Sequence, residues 1–414
     1  MAKNFFLRML AGIGAGSLEV ECEGGEIQQF GDPRAELRAR LVVHHPRFYR
    51  RALLGGDVGV GEAYMNGDWS TPDLVSLIRV AVRNLALYEE KSSFLSSLSR
   101  FVDTFRHRRK SNTIDNSRRN IGAHYDLSND FFRLFLDRSR MYSCAWYQTA
   151  KNTLETAQTQ KLDRICRKLE LSPSDHVLEI GTGWGAFALH AARNYGCRVT
   201  TTTISRQQFD YARAAFDTSE CGERIELLCE DYRNLRGEYE KIVSIEMFEA
   251  VGLEYYDTFF SACDRLLKRD GSMLLQTIVM NDQKFPAYRR HADWIQTYIF
   301  PGSELASVNE ILSSLARSTR MSLFHAEDLG VHYARTLAEW RARFNAKLTE
   351  VRALGFDDRF ICMWDYYLAY CEGAFLERHV SDFQLMLTKT HNQRALMGEP
   401  WRGDREQSAI RATA

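Results

Sequence analysis

The sequence lacks the features that direct a chain into a membrane, onto a nucleic acid or into an oxidising compartment. Lysine plus arginine and aspartate plus glutamate each total 54, so no net charge steers the chain towards nucleic acid or a membrane. The nine cysteines form no CxxC pair and no secretory signal is evident, which favours free thiols in the cytoplasm. The apolar stretch 5–16 contains Arg8 and is shorter than the ~18 residues that span a bilayer. These absences predict a soluble cytoplasmic protein, and 414 residues allow two or three domains.

A glycine-rich turn at residues 177–185, Val-Leu-Glu-Ile-Gly-Thr-Gly-Trp-Gly, is the most informative stretch of the chain. The apolar run, the alternate glycines and the helical pattern that follows predict a buried strand, a tight turn and a helix start. Glycine permits positive φ and lets a ligand approach the backbone closely. A helix N-terminus favours the negative end of a nucleotide-like ligand.

Two features of a dinucleotide site are missing. The spacing is G-x-G-x-G instead of G-x-G-x-x-G, and the second strand, 198–205, ends without the acid that would bind a ribose. With Glu179 before the turn and parallel-strand patterns after it, the stretch resembles motif I of S-adenosylmethionine-dependent methyltransferases.

The remainder of the chain divides into segments that differ in composition and residue pattern. Residues 1–100 predict a small α+β domain with strands at 18–22, 27–30 and 39–43, helices at 48–53 and 73–82, and a glycine-rich turn at 55–64. Residues 101–120 form a basic linker, either solvated surface or a segment attracted to anionic lipid headgroups. Residues 121–393 form the larger domain, and 394–414 a flexible tail.

Strands and helices alternate after the glycine turn, which predicts an α/β fold with a parallel sheet covered by helices on both faces. An aromatic-rich helical excursion occupies residues 285–310. Strands at 322–326 and 383–387 are predicted to close the sheet as a hairpin around a long helix at 356–378.

Several further motifs make residues 119–389 resemble the cyclopropane-fatty-acyl-phospholipid synthase family. They are His124-Tyr125-Asp126, Tyr142-Ser143-Cys144-Ala145, Asp231-Tyr232-Arg233, Phe248-Glu249, Tyr298-Ile299-Phe300-Pro301-Gly302 and residues 330–333. The resemblance implies a Rossmann-like, seven-stranded class I methyltransferase sheet. It also implies that S-adenosylmethionine methylates the double bond of an unsaturated acyl chain in a phospholipid, and that a bound bicarbonate deprotonates the carbocation to close a cyclopropane ring.

The resemblance also assigns roles to individual residues. The implied cofactor-binding residues are Tyr142, Ser143, Glu179, Gly181, Gly183, Trp184, Gly185, Thr203, Ser205, Gln208, Asp231 and Tyr232. The implied catalytic residues around the bicarbonate are Cys144, Glu249, Gln276, Ile278 and Tyr333. Cys371 matches a cysteine named as catalytic in the family, although its position within a helix favours packing. Aromatic candidates for stabilising the cation are Tyr125, Phe132, Trp146, Tyr147, Tyr298 and Tyr333. No metal site is expected.

Two departures from the family pattern leave the product open. Gln276 stands where histidine is common, and Ala250 follows Glu249 where histidine is usual. Because Gln276 cannot carry a positive charge, weaker binding of bicarbonate is expected. The product is a cyclopropane or a methylene or methyl branch; amine N-methylation and a lipid-binding protein without activity are the alternatives. Association with the inner face of the membrane is expected, and a homodimer is left open.

Overall fold

A computed structural model of the chain describes residues 1–85, 128–290 and 292–393. The predicted basic linker, the motif at 124–126 and the tail from 394 lie outside the described residues. Predictions for these segments therefore stay predictions.

Residues 1–85 contain a small mixed sheet with three helices. The strands are β1 (Ser17–Glu21), β2 (Ile27–Gly31), β3 (Arg38–Val43) and β4 (Trp69–Ser70), and the helices are α1 (Ala2–Leu10), α2 (Arg47–Met65) and α3 (Leu74–Arg83). The strand order is β2-β1-β3-β4, with β1 parallel to β3 and the other pairs antiparallel. The three predicted strands and the helix at 73–82 are confirmed.

The predicted turn at residues 55–64 is wrong, because α2 runs through it with one kink at Gly56 (φ 54°, ψ −136°). The glycines that follow allow close packing instead of chain reversal. A Cβ on Gly59 would lie 2.1 Å from the Arg51 carbonyl oxygen, and one on Gly61 would lie 2.3 Å from the Trp294 indole nitrogen. Glycine is therefore needed here for contact with neighbouring groups.

The second sheet has the seven strands expected of the fold class. They are β5 (His176–Ile180), β6 (Arg198–Thr202), β7 (Ile225–Leu228), β8 (Tyr239–Ile245), β9 (Leu267–Met280), β10 (Met321–Asp328) and β11 (Val380–Lys389). Their order is β10-β11-β9-β8-β5-β6-β7. Strands β5 to β9 are parallel, and β11 is antiparallel to both β9 and β10.

The helices of this part of the chain cover the sheet. They are α4 (Asn129–Arg133), α5 (Leu154–Lys168), α6 (Ala186–Tyr195), α7 (Arg206–Asp217), α8 (Tyr256–Leu266), α9 (Phe285–Tyr288), α10 (Trp294–Tyr298), α11 (Val308–Ser318), α12 (Gly330–Asn345), α13 (Leu348–Ala353) and α14 (Asp358–Leu376). The antiparallel pair β10 and β11 is confirmed, but three helices lie between its strands where one was predicted.

The small sheet unit packs on the helices of the larger part through charged contacts. Arg79 and Arg83 each donate to Glu377 at 2.6 Å, and the Tyr298 hydroxyl donates to Glu62 at 2.5 Å. Across the three described segments, none of the helices has the length and apolar character required to cross a membrane.

Candidate active site

The candidate site lies at the carboxyl ends of four adjacent parallel strands, β7, β6, β5 and β8. In open α/β sheets, ligands bind beyond this edge. Gly181, Gly183, Glu246 and Glu249 all retain partial exposure here, although the strands that lead to them are largely buried. These strand ends therefore border an accessible space.

The motif I turn has the backbone that its glycines predict. Gly181, Gly183 and Gly185 have φ of 106°, 54° and 89°. A Cβ on Gly183 would meet nothing within 4 Å, so the backbone is open to a ligand there, whereas a Cβ on Gly185 would lie 2.6 Å from the Phe216 ring. Gly183 therefore fits close approach of a nucleoside-containing ligand, and Gly185 allows the turn to pack on α7. The indole N–H of Trp184 donates to Asn129 at 2.8 Å.

Glu179 is buried beneath this turn, at the end of β5. Its Oε2 accepts a hydrogen bond from the Thr201 hydroxyl at 2.6 Å. Burial raises the pKa of Glu179 to about 8, and the hydrogen bond from Thr201 opposes that rise. A ligand that donates to this carboxylate would favour its ionised form.

The ends of β6 and β7 place the remaining predicted cofactor residues next to the turn. Ser205 caps α7 by accepting from the Gln208 backbone N–H at 3.3 Å, and the Thr203 hydroxyl donates to the Gln208 side-chain oxygen at 3.0 Å. Asp231 accepts two hydrogen bonds from the Arg233 guanidinium, at 2.8 and 2.7 Å. Tyr232 packs edge-on to Phe259. Hydrogen bonding and packing thus orient these residues before any ligand binds.

The segment that contains Tyr142 and Ser143 is tied to a buried lysine. The Lys161 ammonium, which is inaccessible to solvent, donates to the Ser143 hydroxyl at 2.6 Å. Burial lowers the pKa of Lys161, and the negative charge of Glu246 opposes that change. The partly exposed Tyr142 donates to or accepts from the Tyr367 hydroxyl at 3.0 Å.

Glu246 occupies the centre of the predicted catalytic residues. Its Oε1 accepts from the Cys144 backbone N–H at 2.7 Å and from the Gln276 side-chain NH2 at 2.8 Å. Its Oε2 accepts from the Tyr333 hydroxyl at 2.6 Å. These are the three donors expected to face a bicarbonate, and all three serve a carboxylate of the chain itself.

Glu249 lies beside this group, and its carboxyl group has fewer hydrogen-bond partners than that of Glu246. Its Oε1 accepts from the Ile278 backbone N–H at 2.5 Å and from the Thr277 hydroxyl at 3.0 Å. Its Oε2 is buried and has no hydrogen-bond partner among the residues that the structure describes. Burial, and then the negative charge of Glu246, raise the pKa of Glu249 to about 7.

A chain of hydrogen bonds fixes the orientation of Gln276. Lys168 donates to the Gln384 side-chain oxygen at 2.6 Å, and the Gln384 NH2 donates to the Gln276 oxygen at 3.0 Å. The Gln276 NH2 then faces Glu246 and Asp382, donating to the latter at 2.9 Å. An ammonium has only donors, so its position settles the direction of both amides.

Asp382 and Lys161 complete the electrostatics of the site. Asp382 is buried, and within the described part of the chain one of its oxygens has no hydrogen-bond partner. Burial and the charges of Glu246 and Glu249 raise its pKa well above the usual range, and Lys161 opposes this. Burial also raises the pKa of Glu246, whereas Tyr333 and Lys161 favour its charged form. Lys161 is thus a cation that acts on both carboxyl groups.

The two predicted cysteines are both placed where burial disfavours the thiolate. Burial raises the pKa of both thiols, which disfavours the thiolate nucleophile. Cys144 contributes to the site through its backbone N–H, while Cys371 lies on α14, where the nearby charge of Asp293 further raises its thiol pKa.

The aromatic candidates among the described residues differ in the groups that they contact. The guanidinium of Arg164 lies 4.5 Å from the Trp146 ring, and that of Arg335 lies 3.9 Å from the Tyr147 ring. Tyr298 donates to Glu62 on the small sheet unit. Phe132 lies 5.2 Å from Trp184 and 5.4 Å from Tyr142, and Tyr333 donates to Glu246. Phe132 and Tyr333 are therefore the candidates joined to the site.

The sequence reasoning gave no role to Glu246, Lys161 or Asp382. For Glu246 a signal existed, because an acid directly follows a buried strand and a second acid, Glu249, comes three residues later. Lys161 lies within an ordinary helical pattern, and Asp382 within a strand. Among the described residues, the acids, cysteines and histidines form no group of three or more that could hold a metal ion.

Comparison with known proteins identifies the family. The family described as mycolic acid cyclopropane synthetase matches residues 112–385. Tuberculostearic acid methyltransferase UfaA1 of Mycobacterium tuberculosis is 37% identical over 366 residues, covering 86% of this chain and 84% of the relative. Cyclopropane-fatty-acyl-phospholipid synthase of Escherichia coli is 35% identical over 355 residues, covering 85% of this chain and 88% of the relative.

A solved structure agrees with the fold and with the assignment of the cofactor. Mycolic acid cyclopropane synthase CmaA1, complexed with SAH and CTAB, superimposes with a TM-score of 0.62 at 34% identity, covering 66% of this chain and 98% of that one. The glycine turn, the sheet order and these matches agree, and the chain belongs to the mycolic acid cyclopropane synthetase family of S-adenosylmethionine-dependent methyltransferases.

Proposed function

We propose that this protein methylates the double bond of an unsaturated fatty acyl chain carried by a phospholipid and closes a cyclopropane ring. The observation that carries the proposal is an aromatic path that begins at the cofactor turn. Trp184 of the turn lies 5.2 Å from Phe132, and Phe132 lies 5.4 Å from Tyr142. Tyr142 lies 6.4 Å from Phe300 in the helical excursion. Such a wall suits an apolar chain better than a polar amine.

The residues of the chain would divide the work as follows. S-adenosylmethionine supplies a methyl group on a positively charged sulfur. The turn at Gly183 and the carboxylate of Glu179 would bind and orient the donor. An alkene is a weak nucleophile, so exclusion of water and close alignment matter more here than for an amine. The electron-rich faces of Phe132 and Tyr333 would stabilise positive charge on the acyl chain.

The proposed lipid substrate is also supported by the relatives. The Escherichia coli relative is named for a fatty-acyl-phospholipid, and the Mycobacterium tuberculosis relative for tuberculostearic acid. The second name favours one other product, a methyl- or methylene-branched acyl chain on the same class of substrate. An unsaturated phospholipid also places the reaction at a membrane surface, to which the basic segment 101–120 would attach the protein.

The implied bicarbonate does not fit the residues present. The Cys144 N–H, the Gln276 NH2 and the Tyr333 hydroxyl already donate to Glu246. A second anion among them would lie against that carboxylate and against Glu249 without donors of its own. We therefore leave bicarbonate out of the proposed mechanism.

Mass spectrometry of membrane lipids tests the proposal, after expression in a host that lacks this activity. A cyclopropane and a methylene branch each add one CH2 unit, and a saturated methyl branch carries two more hydrogens. Fragmentation then distinguishes the two isomers. Acyl chains of unchanged mass, with radiolabelled methyl recovered in a polar product, would refute a lipid substrate.

A further inference from the structure

We propose that Glu246 is the internal base of the reaction and takes the place of an external anion. The inference rests on the proposed function. Its basis is the geometry around Glu246: three donors from three separate segments of the chain converge on one carboxylate at the edge of the candidate cofactor site.

The position of Glu246 places its side chain beside the reacting groups. The residue directly follows β8, which is hydrogen-bonded to β5, the strand that leads into the cofactor turn. Met247, the next residue, lies close enough to the turn that a Cβ on Gly181 would be 3.1 Å from it. Glu246 as a whole residue also retains partial exposure at the strand ends.

The backbone of Glu246 is held in a conformation that glutamate rarely adopts. Its φ is +47°, in the left-handed region. The backbone N–H donates to the Gln276 carbonyl at 2.8 Å, which ties the residue to β9. A non-glycine residue at positive φ costs free energy, and residues in such strained conformations cluster at functional sites. The contacts of the carboxylate therefore explain why glutamate is held there.

The hydrogen bonds leave Glu246 one acceptor position for a proton. A carboxylate has about four lone-pair sites. Cys144 and Gln276 occupy two on Oε1, and Tyr333 occupies one on Oε2, so the described residues leave one site on Oε2. All three partners donate hydrogen bonds to Glu246. Such bonds favour the ionised carboxylate, which is the form that a base requires.

The proposed step balances without an oxidant or a reductant. Methyl transfer breaks the sulfur–carbon bond, leaves that electron pair on sulfur, and uses the alkene π pair to bond the methyl carbon. The neighbouring alkene carbon becomes positive. Glu246 then removes one proton from the added carbon, and the freed C–H pair bonds that carbon to the positive carbon. Glu246 is left as a carboxylic acid and returns its proton to water after product release.

Two substitutions at this position test the role. Glu246→Gln keeps the shape and an acceptor oxygen but removes the basic carboxylate. Glu246→Gly suits the left-handed backbone and leaves room among the three donors for a small anion. Glu170→Gly is the matched control, because Glu170 is also a glutamate at positive φ (53°) but is exposed, at the end of α5.

Turnover is measured with labelled S-adenosylmethionine and unsaturated phospholipid vesicles in CO2-free buffer, with and without added bicarbonate. We expect wild-type protein and Glu170→Gly to be indifferent to bicarbonate. Glu246→Gln should lose at least about 100-fold in kcat while still binding S-adenosylhomocysteine, since a positioned base contributes a factor of this order. Glu246→Gly should be inactive without bicarbonate and regain turnover when it is added.

Carbon-13 NMR of labelled bicarbonate provides a readout that is independent of turnover. Bicarbonate should bind to Glu246→Gly and not to the wild type. A wild type that needs bicarbonate or binds it, or a Glu246→Gln variant with unimpaired turnover, would overturn the inference. If the wild type methylates no acyl lipid, the proposed function fails, and the NMR comparison still decides whether Glu246 fills the anion position.

Discussion

Replacement of Glu249 by glutamine should change how the stability of the protein depends on pH. The pKa of this carboxyl is raised from 4.5 to about 7 by burial and by the charge of Glu246. Between these two values the folded protein holds a proton that the unfolded chain has released. Raising the pH through this window removes that proton, and the stability that it provided is lost. Glu249→Gln removes the titration.

The size of the effect follows from the two pKa values. One pKa unit corresponds to roughly 1.4 kcal/mol. Integrated from pH 5 to pH 8, a shift from 4.5 to about 7 costs the folded wild type at most about 2.5 kcal/mol, and residual solvent contact reduces this. The glutamine oxygen can accept from Ile278 and Thr277, but its NH2 replaces an oxygen that finds no partner in residues 1–85, 128–290 and 292–393. The unpaired NH2 lowers the free energy of unfolding by about 1–3 kcal/mol at every pH. The change of that free energy with pH is therefore the informative quantity.

Urea denaturation at pH 5 and pH 8 measures this slope. Relative to wild type, Glu249→Gln should gain about 2 kcal/mol in free energy of unfolding between the two pH values. Glu155→Gln is the control without a slope, because a hydrogen bond from Arg343 lowers the pKa of Glu155 below 4.5. The stability that Glu155 contributes is lost only as the pH falls below 4.5, so between pH 5 and pH 8 this variant should run nearly parallel to wild type. Parallel slopes for wild type and Glu249→Gln would refute the raised pKa and the buried carboxyl pair behind it.

Three further predictions concern the cofactor, the base and the membrane. Gly183→Val puts a side chain into open space above the turn and should abolish binding of S-adenosylhomocysteine, at some cost in stability because φ is 54° there; wild-type affinity in a calorimetric titration would contradict the motif I assignment. Tyr333→Phe removes a donor to Glu246 and should lower kcat more than it changes KM; steady-state kinetics showing the reverse would make Tyr333 a binding residue only. Removing three positive charges from the basic linker should weaken sedimentation with anionic vesicles, as added salt should; equal sedimentation at low salt would leave the linker as solvated surface. The replaced residues are Arg108, Arg109 and Lys110, each changed to glutamine.

The alternation of strands and helices after the glycine turn could be predicted from local pattern, because most of the strands contain a short apolar run. The pattern alone did not predict the course of residues 55–64. Glycine is ambiguous in sequence, since it serves both turns and close packing, and only the neighbouring Trp294 indole shows which applies at Gly61. The helix α12 between β10 and β11 was missed for a related reason. Residues 330–333 were interpreted only as a motif, and Tyr333 gains its role from the helix that presents it to Glu246.

The residues of the candidate site that lie in sequence motifs could be predicted. The charged residues that come together only through the fold could not. Cys144, Gln276 and Tyr333 were predicted as neighbours, and the structure brings them together. To predict their common partner, Glu246, one would have to know which side chains converge in the folded protein. Lys161 was not predictable because a lysine within a helical pattern normally faces solvent, whereas this one is buried beneath Ser143.

The amide at position 276 and the carboxylate at position 246 are best understood as one unit. Gln276 donates to Glu246 and to Asp382 while it accepts from Gln384. A neutral imidazole has one donor and one acceptor, and an imidazolium has two donors and no acceptor, so histidine could not serve all three partners. The amide bridges two carboxyl groups without adding a charge, and the required cation is supplied by Lys161. Weaker binding of bicarbonate, which the sequence alone suggested, stays a prediction. Under the proposal that Glu246 is the internal base, glutamine at this position suits a site in which the anion is a side chain of the protein.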